Sequence, residues 1–387
     1  MTVGTPAGMR ELNQRAVLER LRDSGPATRP QIAADTGLSK PTVGQALLDL
    51  EQHGLVRTAG RTISGPGRSA VVYEVNPAAG HVLGIDIGRG LIRVAVADLS
   101  GTVVARLDAP NRARSAGALL QSVRATAEDA VARAGLRMAD VVSKVVSTPG
   151  VPDPREGTVR RAPNLPGWER KGLLNELSSA LGPDVVVEND ANLTAVGEYE
   201  AGAARGVDVF VCVTVGTGIG MGIVVDGALF RGAHGAAGEV GYLPYGWPPP
   251  DSPPREGMLE SSAAGHSVVE MAASRGLDVE TAKDVFRLAR EGDRRALAAV
   301  DEEATRLAFM VASVAAVIDP ALVVLGGGIG KNTDLLAEPL TRALTHATPL
   351  RPVIVPGELG EEAALTGAIA TALRTARDVV FARRGTG

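Results

Sequence analysis

The feature that most constrains the fold is a unit that occurs twice in this 387-residue chain: a strand, a glycine-rich turn and a second strand. The first copy reads VLGIDIGRGLIRVAVAD (82–98) and the second reads VFVCVTVGTGIGMGIVVDG (209–227). Strand patterns elsewhere alternate with helical stretches such as SAGALLQSVRATAEDAVARAG, which is typical of an α/β fold. The repetition predicts two lobes built on one plan, each offering a glycine turn to a shared cleft.

Length and composition limit the class of protein. A chain of 387 residues exceeds what one core usually supports, so two or three domains are expected. Cys212 is the single cysteine, so neither an intrachain disulfide nor a cysteine-based metal cluster can form. Neither a signal peptide pattern nor an apolar run of membrane-spanning length is found, and we therefore expect a cytoplasmic protein without a membrane partner.

The first 75 residues predict a DNA-binding domain. They carry nine Lys plus Arg against seven Asp plus Glu, whereas the whole chain has a net charge of -4. The segment TRPQIAADTGLSKPTVGQALLDLEQHGLV predicts a short helix that ends at Gly37 and a second helix that Ser39 caps. Two strand patterns around the basic loop RTISGPGR complete a winged helix-turn-helix. The candidate DNA contacts are Arg29, Ser39, Lys40, Thr42, Gln45, Arg61 and Arg68.

Two alternatives remain open for this segment. Three helices and a hairpin can merely cap the following domain, and Gln45 can equally be a solvated polar residue on the helix surface. A helix-turn-helix usually reads two half-sites as a dimer. The partners we expect are therefore operator DNA and a second copy of the chain.

Three glycine clusters are candidate nucleotide contacts. Glycines let backbone N–H groups approach an anion closely, and a threonine hydroxyl can add a further hydrogen bond. The candidate residues in the two repeated turns and in the third cluster, LGGGIG (325–330), are Asp86, Gly88, Gly216, Thr217, Gly218, Gly327 and Gly328. Each cluster alone is a weak signal, because glycine-rich turns are mostly structural.

Polar residues also cluster between the two turns, in VVVENDANLTAVGE (185–198). An apolar strand ends there at Glu188, Asn189 and Asp190, and a helix pattern follows. Ligands of α/β folds bind at the carboxyl ends of strands, and Asp190 has the chemistry of a general base toward a hydroxyl. A simple helix N-cap explains the same residues, and the two roles are compatible.

Nearly the whole chain, from about residue 10 to residue 375, resembles the ROK family of sugar-responsive repressors and sugar kinases. The resemblance rests on APNLPGW (162–168), ENDAN (188–192), VGTGIGMGIVVDGALFRGAHGAAGEVGY (215–242) and the order of the three glycine clusters. It implies a two-lobed actin/hexokinase-like (RNase H-like) body behind the winged helix. It also implies sugar contacts at Asn164, Asn189, Asp190, Glu239, Tyr242 and Glu260. Asp190 falls on the catalytic base of the family's kinases.

The chain departs from the family pattern at two sites. The first turn of the kinases reads like DIGGT, whereas here Gly90 replaces the threonine and Arg89 adds bulk and charge. This favours a turn whose phosphate chemistry is weakened or lost, although an arginine can itself bind a phosphate and the alternative stays open. The family's zinc-binding His and Cys residues are absent, with Tyr242 at the His position and Met258 near the final Cys. We therefore expect neither structural zinc nor any required cofactor; ATP would be needed only by a kinase.

These observations favour a transcriptional repressor of carbohydrate metabolism that responds to a sugar or sugar derivative bound between the lobes. It would act as a homodimer or a dimer of dimers. One alternative is an ATP-dependent sugar kinase that carries a DNA-binding domain, and another is a body that mainly docks a second protein. The expected domains are residues 1–76 (winged helix), 81–188 (first lobe, completed by helix 365–387) and 189–364 (second lobe, with the sugar-binding loop and dimer contacts).

Overall fold

The computed structural model describes residues 5–63, 69–162, 164–246 and 257–383. The predicted DNA contact Arg68 lies outside these ranges. The helices are α1 Pro6–Ser24, α2 Arg29–Thr36, α3 Lys40–Gln52, α4 Ala116–Arg133, α5 Leu173–Leu181, α6 Asp190–Ala201, α7 Met258–Ala263, α8 Gly265–Ser274, α9 Ala282–Arg290, α10 Arg294–Ile318, α11 Gly327–Gly330, α12 Thr333–Ala347 and α13 Ala363–Arg383. Within the described ranges, every helix is too short or too polar to cross a membrane.

The strands are named in the same way. They are β1 Ala27–Thr28, β2 Val56–Ile63, β3 Ser69–Val75, β4 His81–Ile87, β5 Leu91–Asp98, β6 Val103–Pro110, β7 Val141–Thr148, β8 Val151–Asp153, β9 Thr158–Arg160, β10 Val185–Asn189, β11 Val209–Val215, β12 Ile219–Val225, β13 Ala228–Leu229, β14 Leu322–Gly326 and β15 Val353–Pro356. They form one three-stranded sheet, two five-stranded sheets and the β8–β9 hairpin.

The N-terminal part folds as the predicted winged helix-turn-helix. Gly37 has a φ of 72° and ends α2, and the Ser39 hydroxyl accepts a hydrogen bond from the Thr42 N–H at the start of α3. Helices α1 to α3 pack on the antiparallel sheet β1-β3-β2. The core of this domain contains Val17, Ile32 and Leu47, among other apolar residues, and also Phe381 from the distant helix α13.

The two larger sheets share one topology, as the repeated strand-turn-strand pattern predicts. The first has the order β10-β7-β4-β5-β6 and the second has the order β13-β12-β11-β14-β15. In each sheet the central strand (β4 or β11) pairs antiparallel with the next strand of the chain. The same central strand pairs parallel with the strand on its other side. The carboxyl ends of parallel strands meet at one edge of a sheet, so this topology gathers the polar and glycine-rich turns.

Helices α6 and α13 cross at unusually short distance. A Cβ atom at Gly197 would lie 2.1 Å from the Ala363 carbonyl oxygen, and one at Gly367 would lie 1.9 Å from the Leu193 carbonyl oxygen. Only glycine fits at both positions, because the backbones themselves touch. Beyond the crossing, α13 packs on the first five-stranded sheet through Ala368 and Ala372, among others, and it ends in the core of the winged helix. One helix therefore connects the crossing to the DNA-binding domain.

Candidate functional site

Asp190 begins α6 directly after the carboxyl end of β10. The Asn189 side chain caps this helix by accepting hydrogen bonds from the N–H groups of Ala191 (2.9 Å) and Asn192 (3.1 Å), so both the cap role and the clustering predicted for this segment are present. Asp190 is half-buried. Burial, followed by the negative charge of Asp86, raises the pKa of its carboxyl to about 6. A carboxylate that titrates near neutrality can accept a proton from a hydroxyl group.

Glu188 organises the residues around Asp190. One of its oxygens accepts hydrogen bonds from the Asn192 side chain (2.9 Å) and the Asn189 N–H (3.0 Å), and the other lies 2.7 Å from Arg231 Nε. The Asn189 amide in turn donates to the Gly150 carbonyl oxygen at 3.0 Å. These bonds connect the end of β10 to the turn after β7 and to the loop after β13.

Arg161 brings two predicted sugar contacts together. Its Nη1 lies 3.3 Å from Glu239 Oε2, and its guanidinium carbon lies 4.5 Å from the centroid of the Tyr242 ring. Burial raises the pKa of Glu239, and the charge of Arg161 opposes that rise. Arg161 is not among the contacts predicted from the sequence, although the pair of arginines directly before APNLPGW is a signal that points to it.

Glu260 and Asn164 occupy different surroundings. Glu260 Oε2 accepts a hydrogen bond from the Ile219 N–H at 2.8 Å, and a Cβ at Gly218 would lie 2.7 Å from the same oxygen. Glu260 therefore supports the second glycine turn through one of its oxygens. Asn164 is exposed in the loop before α5, and its side chain makes no hydrogen bond to another described residue.

The first glycine turn is closed by its own hydrogen bonds. The Gly88 N–H donates to the Leu91 carbonyl oxygen (2.9 Å), and the Asn111 amide donates to the Gly88 carbonyl oxygen (2.8 Å). Asp86, just before the turn, accepts from Ser147 Oγ (2.9 Å) and Arg93 Nη1 (3.2 Å). Burial nevertheless raises the pKa of Asp86. The shape of a phosphate loop is present, while its Gly88 N–H is already used inside the turn.

The second and third glycine clusters lie side by side. A Cβ at Gly216 would lie 3.9 Å from the Gly328 nitrogen, and Gly327 has a φ of 79° with its Cβ position 2.4 Å from a carbonyl oxygen of β11. The Gly216 N–H donates to the Gly218 carbonyl oxygen at 2.9 Å. Thr217 is exposed at the tip of its turn. The structure thus brings together five of the seven predicted nucleotide contacts, which are Gly216, Thr217, Gly218, Gly327 and Gly328.

No group of three or more His, Cys, Asp or Glu side chains with metal-binding geometry occurs among the described residues. Tyr242 is 43% exposed, and Met258 begins α7. Most of the chain between them, residues 247–256, lies outside the described ranges.

The predicted DNA contacts divide into exposed and internally bonded side chains. Lys40 on α3 and Arg61 on β2 are exposed, and their side chains make no hydrogen bond to another described residue. Gln45 is also exposed but donates to Asp49 Oδ1 at 2.9 Å. Asp49 Oδ2 accepts from the Gln14 amide on α1 at 2.8 Å, so Asp49 joins α3 to α1 while Gln45 bonds to it within α3.

Two further candidates have partners within the winged helix. Arg29 Nη2 donates to the Tyr73 hydroxyl at 2.8 Å, which orients its guanidinium beside α3. Thr42 and Ser39 share a hydrogen bond of 2.8 Å between their hydroxyl oxygens at the start of α3. These two hydroxyl groups are therefore bonded to each other at the start of α3, where the Lys40 side chain is exposed.

Comparison with known proteins gives consistent matches for both parts of the chain. Residues 82–375 match the ROK family, and residues 16–60 match the IclR helix-turn-helix domain. A glucokinase of Halalkalibacterium halodurans is 32% identical over 67% of this chain and 83% of its own length. A xylose repressor of Caldicellulosiruptor bescii is 27% identical over 89% of this chain and 90% of its own length.

Solved structures resemble both the whole chain and its body. The transcriptional regulator of the ROK family described as a homolog of the Escherichia coli MLC protein is 21% identical, with a TM-score of 0.78 over 97% of this chain and 98% of that one; at this identity the match supports the fold alone. The ROK family glucokinase of Streptomyces griseus, in complex with glucose and AMPPNP, is 30% identical, with a TM-score of 0.63 over 76% of this chain and 100% of that one. The predicted winged helix followed by an actin/hexokinase-like body is confirmed, and the chain belongs to the ROK family.

Proposed function

We propose that this protein is a cytoplasmic transcriptional repressor of carbohydrate metabolism whose operator affinity changes when a sugar binds between the lobes of its body. The observation that carries the proposal is the coexistence of two parts in one chain. Helix α3, with Lys40 exposed at its first turn, is followed by a body in which polar side chains cluster around Asp190. The similarity to the xylose repressor of C. bescii over 89% of this chain supports this combination.

DNA recognition is assigned to the winged helix, residues 1–76. Helix α3 enters the major groove, where Lys40, Thr42 and Gln45 reach base edges and Ser39 lies at the phosphates. Arg29, Arg61 and Arg68 contact the DNA backbone or the minor groove. Two half-sites of an operator need two copies of this domain, so we propose a homodimer or a dimer of dimers held together by the second lobe, residues 189–364.

Sugar recognition is assigned to carboxylates and carboxamides at the cleft between the two lobes. The first lobe comprises residues 81–188 with 365–387, and the second comprises residues 189–364. Carboxylates accept hydrogen bonds and carboxamides both donate and accept them, so together they distinguish one hydroxyl pattern from another. The proposed contacts are Asn164, Asn189, Asp190, Glu239, Tyr242 and Glu260. A site built in this way rejects analogues without the matching hydroxyls, because its buried polar groups would lose their partners.

The test combines DNA selection with ligand titration on the full chain. Binding sites are first selected from a random DNA pool, and the best site is then titrated by fluorescence anisotropy with and without each member of a monosaccharide panel. We expect Lys40→Ala to weaken DNA binding and Asp190→Asn to remove the sugar effect while DNA affinity without sugar stays unchanged. Lys171→Ala, at an exposed position of the body, is the control for loss of a positive charge. A DNA affinity that no sugar changes would refute the proposal.

A sugar kinase with a DNA-binding domain is the second candidate function. The pKa of about 6 at Asp190 favours it, because a general base works best when its pKa is near the working pH. The closed first turn and the glycine at position 90 oppose it. Sugar-dependent ATP turnover measured in the presence of Mg²⁺ separates the two functions: turnover that Asp190→Asn abolishes supports the kinase.

A further inference from the structure

Arg161 is a cation held among the proposed sugar contacts. It follows β9 and has a φ of 60°, a left-handed backbone conformation that residues other than glycine, asparagine and aspartate rarely adopt. Such conformations persist where the surrounding structure enforces them, and they are frequent at functional sites. The fold thus holds an arginine, in an unfavourable conformation, against Glu239 and Tyr242.

The contacts of Arg161 leave most of its hydrogen-bonding capacity unused. A guanidinium has five N–H donors, and among the described residues Glu239 is the only side chain with which Arg161 forms an ion pair. The Arg161 side chain is 42% exposed, so its remaining donors are accessible to a ligand. The guanidinium carbon lies over the Tyr242 ring, 4.5 Å from its centroid, and this cation–π contact holds the guanidinium beside the ring. A guanidinium fixed in this way matches a carboxylate or phosphate, which it binds through two parallel hydrogen bonds.

The neighbouring negative charges indicate which kind of ligand the Arg161 guanidinium would bind. Glu239 and Asp190 supply acceptors for sugar hydroxyls, and Asp86 and Glu239 both raise the pKa of Asp190 by their negative charge. These acceptors can bind the hydroxyl groups of a neutral sugar, which carries no group that requires a planar cation. An anionic substituent would be repelled by the carboxylates, and it therefore requires a positive charge at the point where it binds.

On the basis of the proposed function, we propose that the effector is an anionic sugar whose phosphate or carboxylate group binds Arg161 beside Tyr242. The anion replaces Glu239 as the partner of the guanidinium, and the released Glu239 carboxylate accepts a sugar hydroxyl. Binding exchanges one internal ion pair for two contacts with the ligand. Arg161 is in this view a specificity-determining residue, since it selects charged sugars over their neutral parents.

Calorimetric titration of the full chain tests this inference. The ligands are neutral monosaccharides, the phosphate esters of the same sugars and the corresponding uronic acids, so that the last two sets distinguish a phosphate from a carboxylate. We expect one anionic sugar to bind at least about tenfold more tightly than its neutral parent, and Arg161→Gln to remove this preference. Arg160→Gln is the matched control, because Arg160 precedes Arg161 and pairs instead with Asp153 on β8; it should leave all affinities unchanged.

Three results would overturn the inference. A neutral sugar that binds as tightly as its anionic derivatives and still changes DNA affinity refutes the charged effector while the proposed function stands. Undiminished affinity of Arg161→Gln for the anionic sugar, with an unchanged melting temperature, refutes the role of Arg161 alone. A chain that binds no carbohydrate from any of the three sets refutes both the inference and the proposed function.

Discussion

The crossing of α6 and α13 can be tested by adding one methyl group at Gly367. A Cβ at this position would lie 1.9 Å from the Leu193 carbonyl oxygen and 3.0 Å from the Gly197 nitrogen. Cβ atoms in real structures essentially never approach a heavy atom outside their own residue and its chain neighbours within 3.0 Å. Gly367→Ala must therefore displace the helices by about 1.1 Å, the difference between 3.0 and 1.9 Å. Both obstructing atoms belong to helix backbone, which cannot rotate away as a side chain would.

The size of the effect follows from two opposing contributions. Overpacking costs about 1 to 3 kcal/mol, and rigid backbone on the opposite helix places this site at the upper end, about 3 kcal/mol. Alanine is preferred over glycine in a helix by about 1 kcal/mol, which offsets part of the cost. The free energy of unfolding should therefore fall by about 2 kcal/mol. For a domain of about 150 to 250 residues, this lowers the melting temperature by about 4 to 8 °C.

Thermal unfolding followed by circular dichroism measures this shift against a matched control. Gly117 lies in the exposed part of α4, and a Cβ there would meet nothing within 4 Å. Gly117→Ala should therefore raise the melting temperature slightly, since only the helix preference acts. If Gly367→Ala unfolds at or above the temperature of the unmodified protein, the helices do not cross as closely as described and the reasoning is wrong.

Three further predictions concern charge and domain contact. Sugar affinity, measured by calorimetry between pH 5 and 8, should rise as the pH increases through about 6, because the ionised form of Asp190 is the better acceptor and its pKa is about 6; Asp190→Asn should reduce this dependence. Glu303 is fully buried, and its oxygens have no hydrogen-bond partner among the described residues. Burial raises the pKa of Glu303 well above the ordinary value, so the stability that its protonated form contributes is present at low pH and lost as the pH rises. Glu303→Gln should therefore raise the melting temperature more at pH 8 than at pH 5, by the equivalent of about 1 to 3 kcal/mol. Phe381→Ala removes a buried ring from the core of the winged helix and should lower the free energy of unfolding, measured by thermal unfolding, by about 3 to 5 kcal/mol. Asp378→Ala is the control, because it breaks an exposed ion pair with Arg15 and should change that free energy by less than about 1 kcal/mol.

The sequence predicted the features that depend on neighbouring residues. Gly37 ends α2 and Ser39 caps α3, because a left-handed turn and a capping hydroxyl are local requirements. The strand-turn-strand repeat predicted two lobes on one plan, and the structure has two five-stranded sheets of the same topology. This was predictable because the turns and the alternation of strands and helices depend on residues close together in the sequence. Asn189 at the end of β10 and Asp190 at the start of α6 are placed by the same kind of signal.

Features that depend on distant contacts could not be predicted. Arg161 and Tyr242 are 81 positions apart in the chain, and their stacking depends on how the two lobes meet. Phe381 lies in a C-terminal helix that looks like any amphipathic helix, yet it completes the core of the N-terminal domain. The pairing of Gly197 with Gly367 is equally invisible, because a glycine inside a helix pattern indicates close approach without naming the partner.

A sensor and a kinase make different demands on the same two lobes. A kinase must bind a nucleoside triphosphate. In the first turn here, the Gly88 N–H already donates to the Leu91 carbonyl oxygen and Asp86 is paired with Arg93. A sensor needs only that ligand binding changes the arrangement of α6, which begins at Asp190, and that this change reaches the DNA-binding domain. Helix α13 offers a route for the second step, because it runs from the crossing at Gly367 to Phe381 in the core of the winged helix, a distance of about 21 Å along the helix axis. We expect a shift of α6 to displace α13 at this crossing, and with it the end of α13 that lies in the core of the winged helix; this step needs no bound nucleotide.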